Sequence, residues 1–366
     1  MGTAVAAAEN RAAVTACDSV PAAEPQADRR IKLVRRAQPD RSQLFRRSAQ
    51  GLFAALNVVL CAQFLLFVRQ IESGAPVPRW SRPPGVEGWL PIAGLMNLKY
   101  LLVTGEVPRI HPAALFLLLA FLAISFAFRK SFCSWLCPVG TLSEVLWKCG
   151  RKVLGKNWIL PRWLDIPLRG VKYLLLLFFA YAVAGMSAAA IQAFMASPYG
   201  LVADIKMLDF FRRLSTTAAI TLVALAALSF FYQNFWCRYL CPYGALLGLA
   251  SVFSPSKIRR VPEKCVDCGK CARACPALLP VDRLVQIRSS ECTACLECVA
   301  ACPAAGALDL NFTRRRRVPA WAVAAGIAAM FLGIVAAAKG AGVWESRIPY
   351  EVYLHLLPVL GSLQHP

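Results

Sequence analysis

Five stretches of the chain run in almost unbroken apolar residues, at about 51–68, 112–128, 173–195, 217–236 and 319–338. None carries Asp, Glu, Lys, Arg or His beyond its ends. At about 1.5 Å of rise per residue, roughly 20 such residues cross a hydrocarbon core, so the pattern predicts five transmembrane helices. Residues 89–103 are also apolar but contain Lys99 and several small residues. They are read as a re-entrant or interfacial segment. Residues 1–50, rich in Ala, Arg, Pro and Gln, are read as a disordered basic cytoplasmic tail without a signal peptide.

Composition supports a membrane protein: 58% of residues are hydrophobic and only 17% are charged. A soluble domain holds nearer a quarter charged residues. The formal net charge is +21, and its distribution matters more than its size. With the N-terminus inside, 31 of the 41 Lys and Arg fall in the inside segments and 10 in the outside ones. This bias predicts an N-inside, C-outside topology with five spans. The runs RRIKLVRR (29–36) and RRRR (314–317) then face anionic membrane lipid. No nucleic-acid fold signature accompanies the charge, so nucleic acid is not expected as a partner.

Fifteen cysteines against three histidines direct any metal chemistry to thiolates. Residues 265–276 read CVDCGKCARACP and residues 292–303 read CTACLECVAACP. Both are C-x2-C-x2-C-x3-C-P, in which three thiolates wrap one cubane and the fourth serves the neighbouring one. Cys265, Cys268, Cys271 and Cys302 are therefore expected to hold one [4Fe–4S] cluster. Cys292, Cys295, Cys298 and Cys275 are expected to hold a second. Zinc sites pair C-x2-C units across a longer gap and lack the repeated third Cys and C-P. Disulfides do not suit the reducing side of the membrane.

Residues 132–140 (FCSWLCPVG) and 236–244 (WCRYLCPYG) share a second pattern, C-x3-C-P-x-G, with first cysteines 104 residues apart. Each follows an apolar stretch, so an internal repeat of two parallel helix pairs is expected. The i, i+4 spacing places Cys133 with Cys137, and Cys237 with Cys241, on one helical face. The Pro after each pair opens a new helix whose N-terminus favours thiolate. Together the four sulfurs are candidates for a third Fe–S cluster or another soft metal. The bland alternative is small residues that let helices pack. Cys17, Cys61 and Cys149 are assigned no role.

The runs SFCSWLCPVGTLSE (131–144) and NFWCRYLCPYGALLG (234–248), with the double ferredoxin motif after them, resemble the bacterial membrane polyferredoxins of the NapH, NosR and CcoG (RdxA) type. The resemblance covers roughly residues 50–312. It implies an inner-membrane electron-transfer protein. NapH-type members look like quinol-oxidising partners of periplasmic reductases, NosR-type members carry electrons across the membrane, and CcoG-type members serve copper handling. This chain lacks the large N-terminal domain of the NosR type and the C-terminal domain of the CcoG type. It is longer than the NapH type.

The expected architecture is an all-α membrane protein with an inserted small α+β 2[4Fe–4S] ferredoxin-like domain. A four-helix membrane domain (51–250) precedes the cytoplasmic ferredoxin domain (251–313). A fifth transmembrane helix (314–340) and a periplasmic tail (341–366) follow. The expected function is relay of electrons between the quinone pool or a cytoplasmic donor and a redox partner in the membrane or periplasm. The protein is read as an electron-transfer component rather than a stand-alone enzyme. Alternatives are a copper-handling assembly factor and a redox-sensing regulator. His111, at the outside edge of the second stretch, is a candidate quinone or proton site. His355 and His365 are read as solvated. Uncharged spans and the lack of an inverted repeat argue against a transporter.

Overall fold

In the computed structural model, residues 32–37, 40–313 and 316–363 are described. Among the described residues, three helices are long and apolar enough to cross a membrane: α1 (Ser42–Glu72), α6 (Arg162–Gly185) and α14 (Ala320–Gly340). Between α1 and α6 lie α2 (Pro91–Thr104), α3 (Pro112–Ala127), the single turn α4 (Phe132–Trp135) and α5 (Pro138–Leu154). Then come α7 (Ala188–Ala196), α8 (Pro198–Leu201), α9 (Ala203–Arg212), α10 (Thr216–Phe231) and α11 (Pro242–Val252). Helices α9 and α10 meet at 82° and together are long and apolar enough for a fourth, broken crossing or a re-entrant loop.

The five expected spans are thus realised unevenly. Helices α3 and α10 have 16 residues each, about 24 Å of rise, short of a roughly 30 Å core. Helix α3 is followed by the left-handed Arg129 (φ 60°), whereas α10 ends where Tyr232 becomes extended (φ −112°, ψ 138°), two residues before the left-handed Asn234 (φ 53°). The stretch at 173–195 is broken after Gly185. There the Lys99 ammonium donates to the carbonyls of Val183 (3.1 Å), Ala184 (2.7 Å) and Met186, while Ser187 caps the start of α7. Lys99 thereby satisfies orphan carbonyls at a helix end. Its own segment, α2, is 14 residues long and packs on α3 and α7.

The first domain boundary also moves. Residues 42–50, expected as tail, form the opening turns of α1. Upstream of them, Ala305 N–H donates to the Val34 carbonyl (2.8 Å), and Arg36 reaches Asp40 (2.7 Å) and the Leu308 carbonyl (3.2 Å). The described part of the N-terminal segment therefore lies on the ferredoxin segment. Residues 1–31, with Cys17, and residues 364–366, with His365, fall outside the described residues.

The ferredoxin segment contains β1 (Ser256–Arg260), the short helices α12 (Lys270–Ala274) and α13 (Glu297–Ala301), β2 (Leu308–Phe312) and β3 (Arg316–Arg317); α15 (Tyr350–Leu356) follows α14. The sheet is antiparallel in the order β1-β2-β3, with Ile258 opposite Leu310. Ile258, Leu308 and Leu310 point inward and join a core that continues into α3, α4 and α14. The segment is thus packed onto the membrane helices as part of one interior. Helix α3, apolar all round, lies at the centre of that interior. Leu174, Leu177 and Phe178 of α6 and Val58 and Val59 of α1 are exposed, as a lipid-facing surface requires.

Candidate iron–sulfur centres

The two ferredoxin motifs fold alike residue by residue. Asp267 (φ 48°) and Gly269 (φ 65°) flank the second Cys of the first, and Ala294 (φ 46°) and Leu296 (φ 60°) flank that of the second. A left-handed non-glycine residue costs roughly 1–2 kcal/mol, so three of these four positions hold strain of the kind found where a loop wraps a ligand. Helices α12 and α13 follow. They end on Cys275 (φ −74°, ψ 114°) and Cys302 (φ −76°, ψ 118°) in one shared conformation.

The thiols sort into two groups. Cys302 has Cys265 and Cys268 as electrostatic neighbours, and Cys271 has Cys302 and Cys265. Cys275, Cys292, Cys295 and Cys298 line one small void of about 20 Å³. Cys298 senses those three first and Cys271 after them, so the groups are adjacent. The first group reaches solvent through the exposed Cys268, whereas all four of the second are buried. Burial pushes the Cys295 thiol up to about 12 and the Cys271 thiol up to about 11. Metal binding would therefore have to displace protons. Among the described residues no three His, Cys, Asp or Glu side chains converge tightly enough to hold one ion. Each group supplies four thiols, the number that a [4Fe–4S] cluster takes at one thiolate per iron.

In the paired C-x3-C-P motifs, Cys137 caps α5 and Cys241 caps α11. Each Sγ accepts the N–H of the motif glycine, Gly140 at 3.4 Å and Gly244 at 3.2 Å, and the Pro occupies the first helical position. The single helical face expected for each pair is not kept. Helix α4 stops at Trp135, residues Trp236–Leu240 form a π-helical turn, and the second Cys is extended, because Pro starts the helix anew. Gly140 has a steric reason: a Cβ there would stand 2.2 Å from the Cys133 carbonyl oxygen. Helix α5 packs along α10 and α11 along α3, so the helix after each motif lies on the apolar helix before the other. This exchange brings all four cysteines to the wall of a single cavity of about 830 Å³.

The motifs also touch the ferredoxin loops. Between Cys133 and Cys137, the Ser134 hydroxyl donates to the Thr293 carbonyl (2.7 Å) and the Trp135 indole N–H to the Ala294 carbonyl (3.1 Å). Between Cys237 and Cys241, Arg238 donates to the Ala277 carbonyl (2.8 Å). Thr293 and Ala294 lie between Cys292 and Cys295, and Ala277 follows Cys275 by two residues. Both motifs therefore meet the loops of the second thiol group. Around this junction Arg46 binds Glu144 (2.6 Å) and Glu297 (2.9 Å), Lys148 binds both carboxylates, and Lys172 binds Glu291 (2.5 Å). Burial alone would raise the Glu144 carboxyl. The hydrogen bonds and charge of Arg46, and then Lys148, hold it down to about 2. Ser134, Trp135 and Arg238 were missed by sequence reasoning. Their only signal was a position inside a cysteine motif.

His111 is not brought to the cysteines. It precedes α3, about 24 Å of helix from the motif at the other end. It is fully buried, with Nε2 donating to the Gly200 carbonyl (2.9 Å) and Nδ1 facing Arg82 (3.1 Å) and Glu87 (3.3 Å). Arg82 also binds Glu87 (2.8 Å) and Asp204 (2.7 Å), and Glu87 accepts from Ala114 N–H at the start of α3 (3.2 Å).

Comparison with known proteins agrees with this geometry. A 4Fe-4S dicluster domain family matches residues 257–303, and a 4Fe-4S binding domain family matches twice, over 110–157 and 214–260. YccM of Escherichia coli (strain K12), described as a candidate electron transport protein, is 48% identical over 327 residues, 88% of this chain and 92% of the relative. This chain belongs to the same family, the membrane polyferredoxin-type electron transport proteins. Further relatives match the polyferredoxin over less of their length. The regulatory protein NosR of Pseudomonas aeruginosa is 34% identical over 44% of this chain and 22% of its own. The protein NirI of Paracoccus denitrificans is 30% identical over 55% and 30%. No solved structure matches the chain.

Proposed function

We propose that this polyferredoxin relays single electrons through three [4Fe–4S] centres between a soluble face and the membrane interior. Cys265, Cys268, Cys271 and Cys302 hold the solvent-reaching cluster. Cys292, Cys295, Cys298 and Cys275 hold the one packed on the membrane helices. Cys133, Cys137, Cys237 and Cys241, from a duplicated helix-pair unit, hold the third. When bound, the clusters supply one-electron carriers, while the protein sets their spacing and surroundings.

One observation carries this reading: the bonds Ser134–Thr293 and Trp135–Ala294 join the loop of the first paired motif directly to the loop of the second ferredoxin cluster. The protein provides a continuous covalent and hydrogen-bonded path from Cys133 to Cys295. The basic bias supports a cytoplasmic position for the ferredoxin segment, and the resemblance to bacterial polyferredoxins supports the inner membrane. The cavity beside the paired cysteines is walled by apolar side chains such as Phe53, Leu56, Phe121 and Phe331, and suits a quinone. A redox protein in the membrane or periplasm completes the chain. His111, at the far end of α3, clamps the opposite ends of the helices.

Iron and sulfide content with EPR of the anaerobically purified, reduced protein tests the proposal. About twelve irons per chain, and reduction of the clusters by a short-chain quinol, are the expected results. Eight irons would leave the paired cysteines to another soft metal, such as copper(I). A chain containing zinc and no iron would overturn the reading.

A further inference from the structure

Near the second ferredoxin cluster site and the paired cysteines lie two buried lysines, Lys130 and Lys172, and the partly buried Glu291. Lys172 is ion-paired to Glu291, the residue before Cys292. Lys130 also senses Glu291, but its other electrostatic neighbours are Cys133, Cys241 and Cys237. Its Nζ stands 3.6 Å from the point a Cβ on Gly244 would occupy, and Cys241 Sγ stands 3.5 Å from the same point. It is also 3.8 Å from the corresponding point at Gly248. The two glycines thus leave the space that the ammonium fills above the sulfurs. Two ammoniums share one carboxylate in this trio, and the positive charge left over is the one at the cysteines. The residue 104 positions later, at the matching place before the second motif, is the uncharged Asn234.

We propose that Lys130 is the built-in countercharge of the paired-cysteine centre and raises its affinity for an electron above what four buried thiolates alone would allow. The proposal rests on the assignment of a third cluster to these cysteines. Every electron added to a cluster held by four thiolates increases its negative charge. Desolvation makes that charge costly, and a fixed cation nearby offsets the cost. Lys130 does not ligate iron; it acts through the ligands as a positioning and tuning residue. Because Lys172 is bonded to Glu291 while the Lys130 ammonium stands beside Gly244 and Cys241, the effect is largest at the membrane centre.

Potentiometric EPR titration of the full-length protein, with iron counted in each preparation, tests this. In Lys130→Met the midpoint of one signal should fall by about 59 mV or more, a tenfold loss of electron affinity, with the other two moving less. Lys130→Arg should keep the wild-type value. An unmoved midpoint in Lys130→Met, or a uniform shift of all three, overturns the proposal. Should Lys130→Met lose about four irons, retention of all twelve by Lys130→Arg supports the countercharge and loss in both variants overturns it. Eight irons in the wild type would instead remove the third cluster itself, before any variant is made.

Discussion

Trp135 donates its indole N–H to the carbonyl of Ala294 across 3.1 Å, from one cysteine motif into another. Both residues are completely or almost completely buried, and Ala294 is left-handed, so the bond helps to hold a strained loop. Trp135→Phe keeps most of the packing but leaves that carbonyl without this donor. The expected cost is on the order of 1 kcal/mol in stability. Cluster content should be unchanged, while freeze-quench EPR should show slower re-equilibration between the membrane centre and its neighbour. Unaltered kinetics would place the electron path elsewhere.

The cysteine groups should separate by substitution. Cys268→Ser should remove one cluster, about four irons, and leave the signals of the other centres. The double change Cys133→Ser with Cys237→Ser should spare both ferredoxin clusters and stop electron flow into the membrane centre, read as loss of quinol-dependent cluster reduction. Persistence of that flow would make the paired motifs structural.

Helix α5 crosses α10 at Gly150, where a Cβ would stand 1.9 Å from the Phe230 carbonyl oxygen. Gly150→Ala must push the two helices apart. A loss of roughly 1–3 kcal/mol is expected, visible as a lower thermal midpoint in detergent. The crossing sets the approach of the two motifs, so the paired-cysteine EPR signal should broaden or vanish before the ferredoxin signals change.

Glu144 gives the junction a pH dependence. Its carboxyl is held at about 2, below its ordinary 4.5, although burial alone would raise it. A lowered pKa stabilises the fold above about 4.5, and that contribution is lost as pH falls from there towards 2. The full contribution is on the order of 3 kcal/mol. Thermal midpoints should show no effect of this group from pH 8 to 5. Below pH 4.5 the wild type should lose stability more steeply than Glu144→Gln, which has already lost the charge. Comparing the two separates this group from acid lability common to both.

Glu87 at the far end is fully buried and serves Arg82, His111 and the first turn of α3 at once. Glu87→Gln leaves Arg82 with fewer negative partners and should cost roughly 3–5 kcal/mol, measured by thermal unfolding. His111→Gln should leave electron flow intact, since α3 separates it from the cysteines. Loss of quinol-dependent reduction in His111→Gln would assign the proton site there after all.

Much of the chemistry was legible from spacing alone. C-x2-C-x2-C-x3-C-P states how many sulfurs arrive and in what order, because ligand number and loop length are local properties of the chain. Apolar stretches and the basic bias likewise identified a membrane protein, since transfer of a helix into lipid depends on composition. Lengths were less legible. The helices α3 and α10 stop short and the stretch at 173–195 is broken, where left-handed Arg129, extended Tyr232 and the Lys99 ammonium from another segment meet the helix ends. What only the tertiary structure decided is contact between segments far apart in sequence. Trp135 against Ala294, Arg46 between Glu144 and Glu297, and Lys130 over Gly244 depend on which helix crosses which, and no local pattern encodes that crossing.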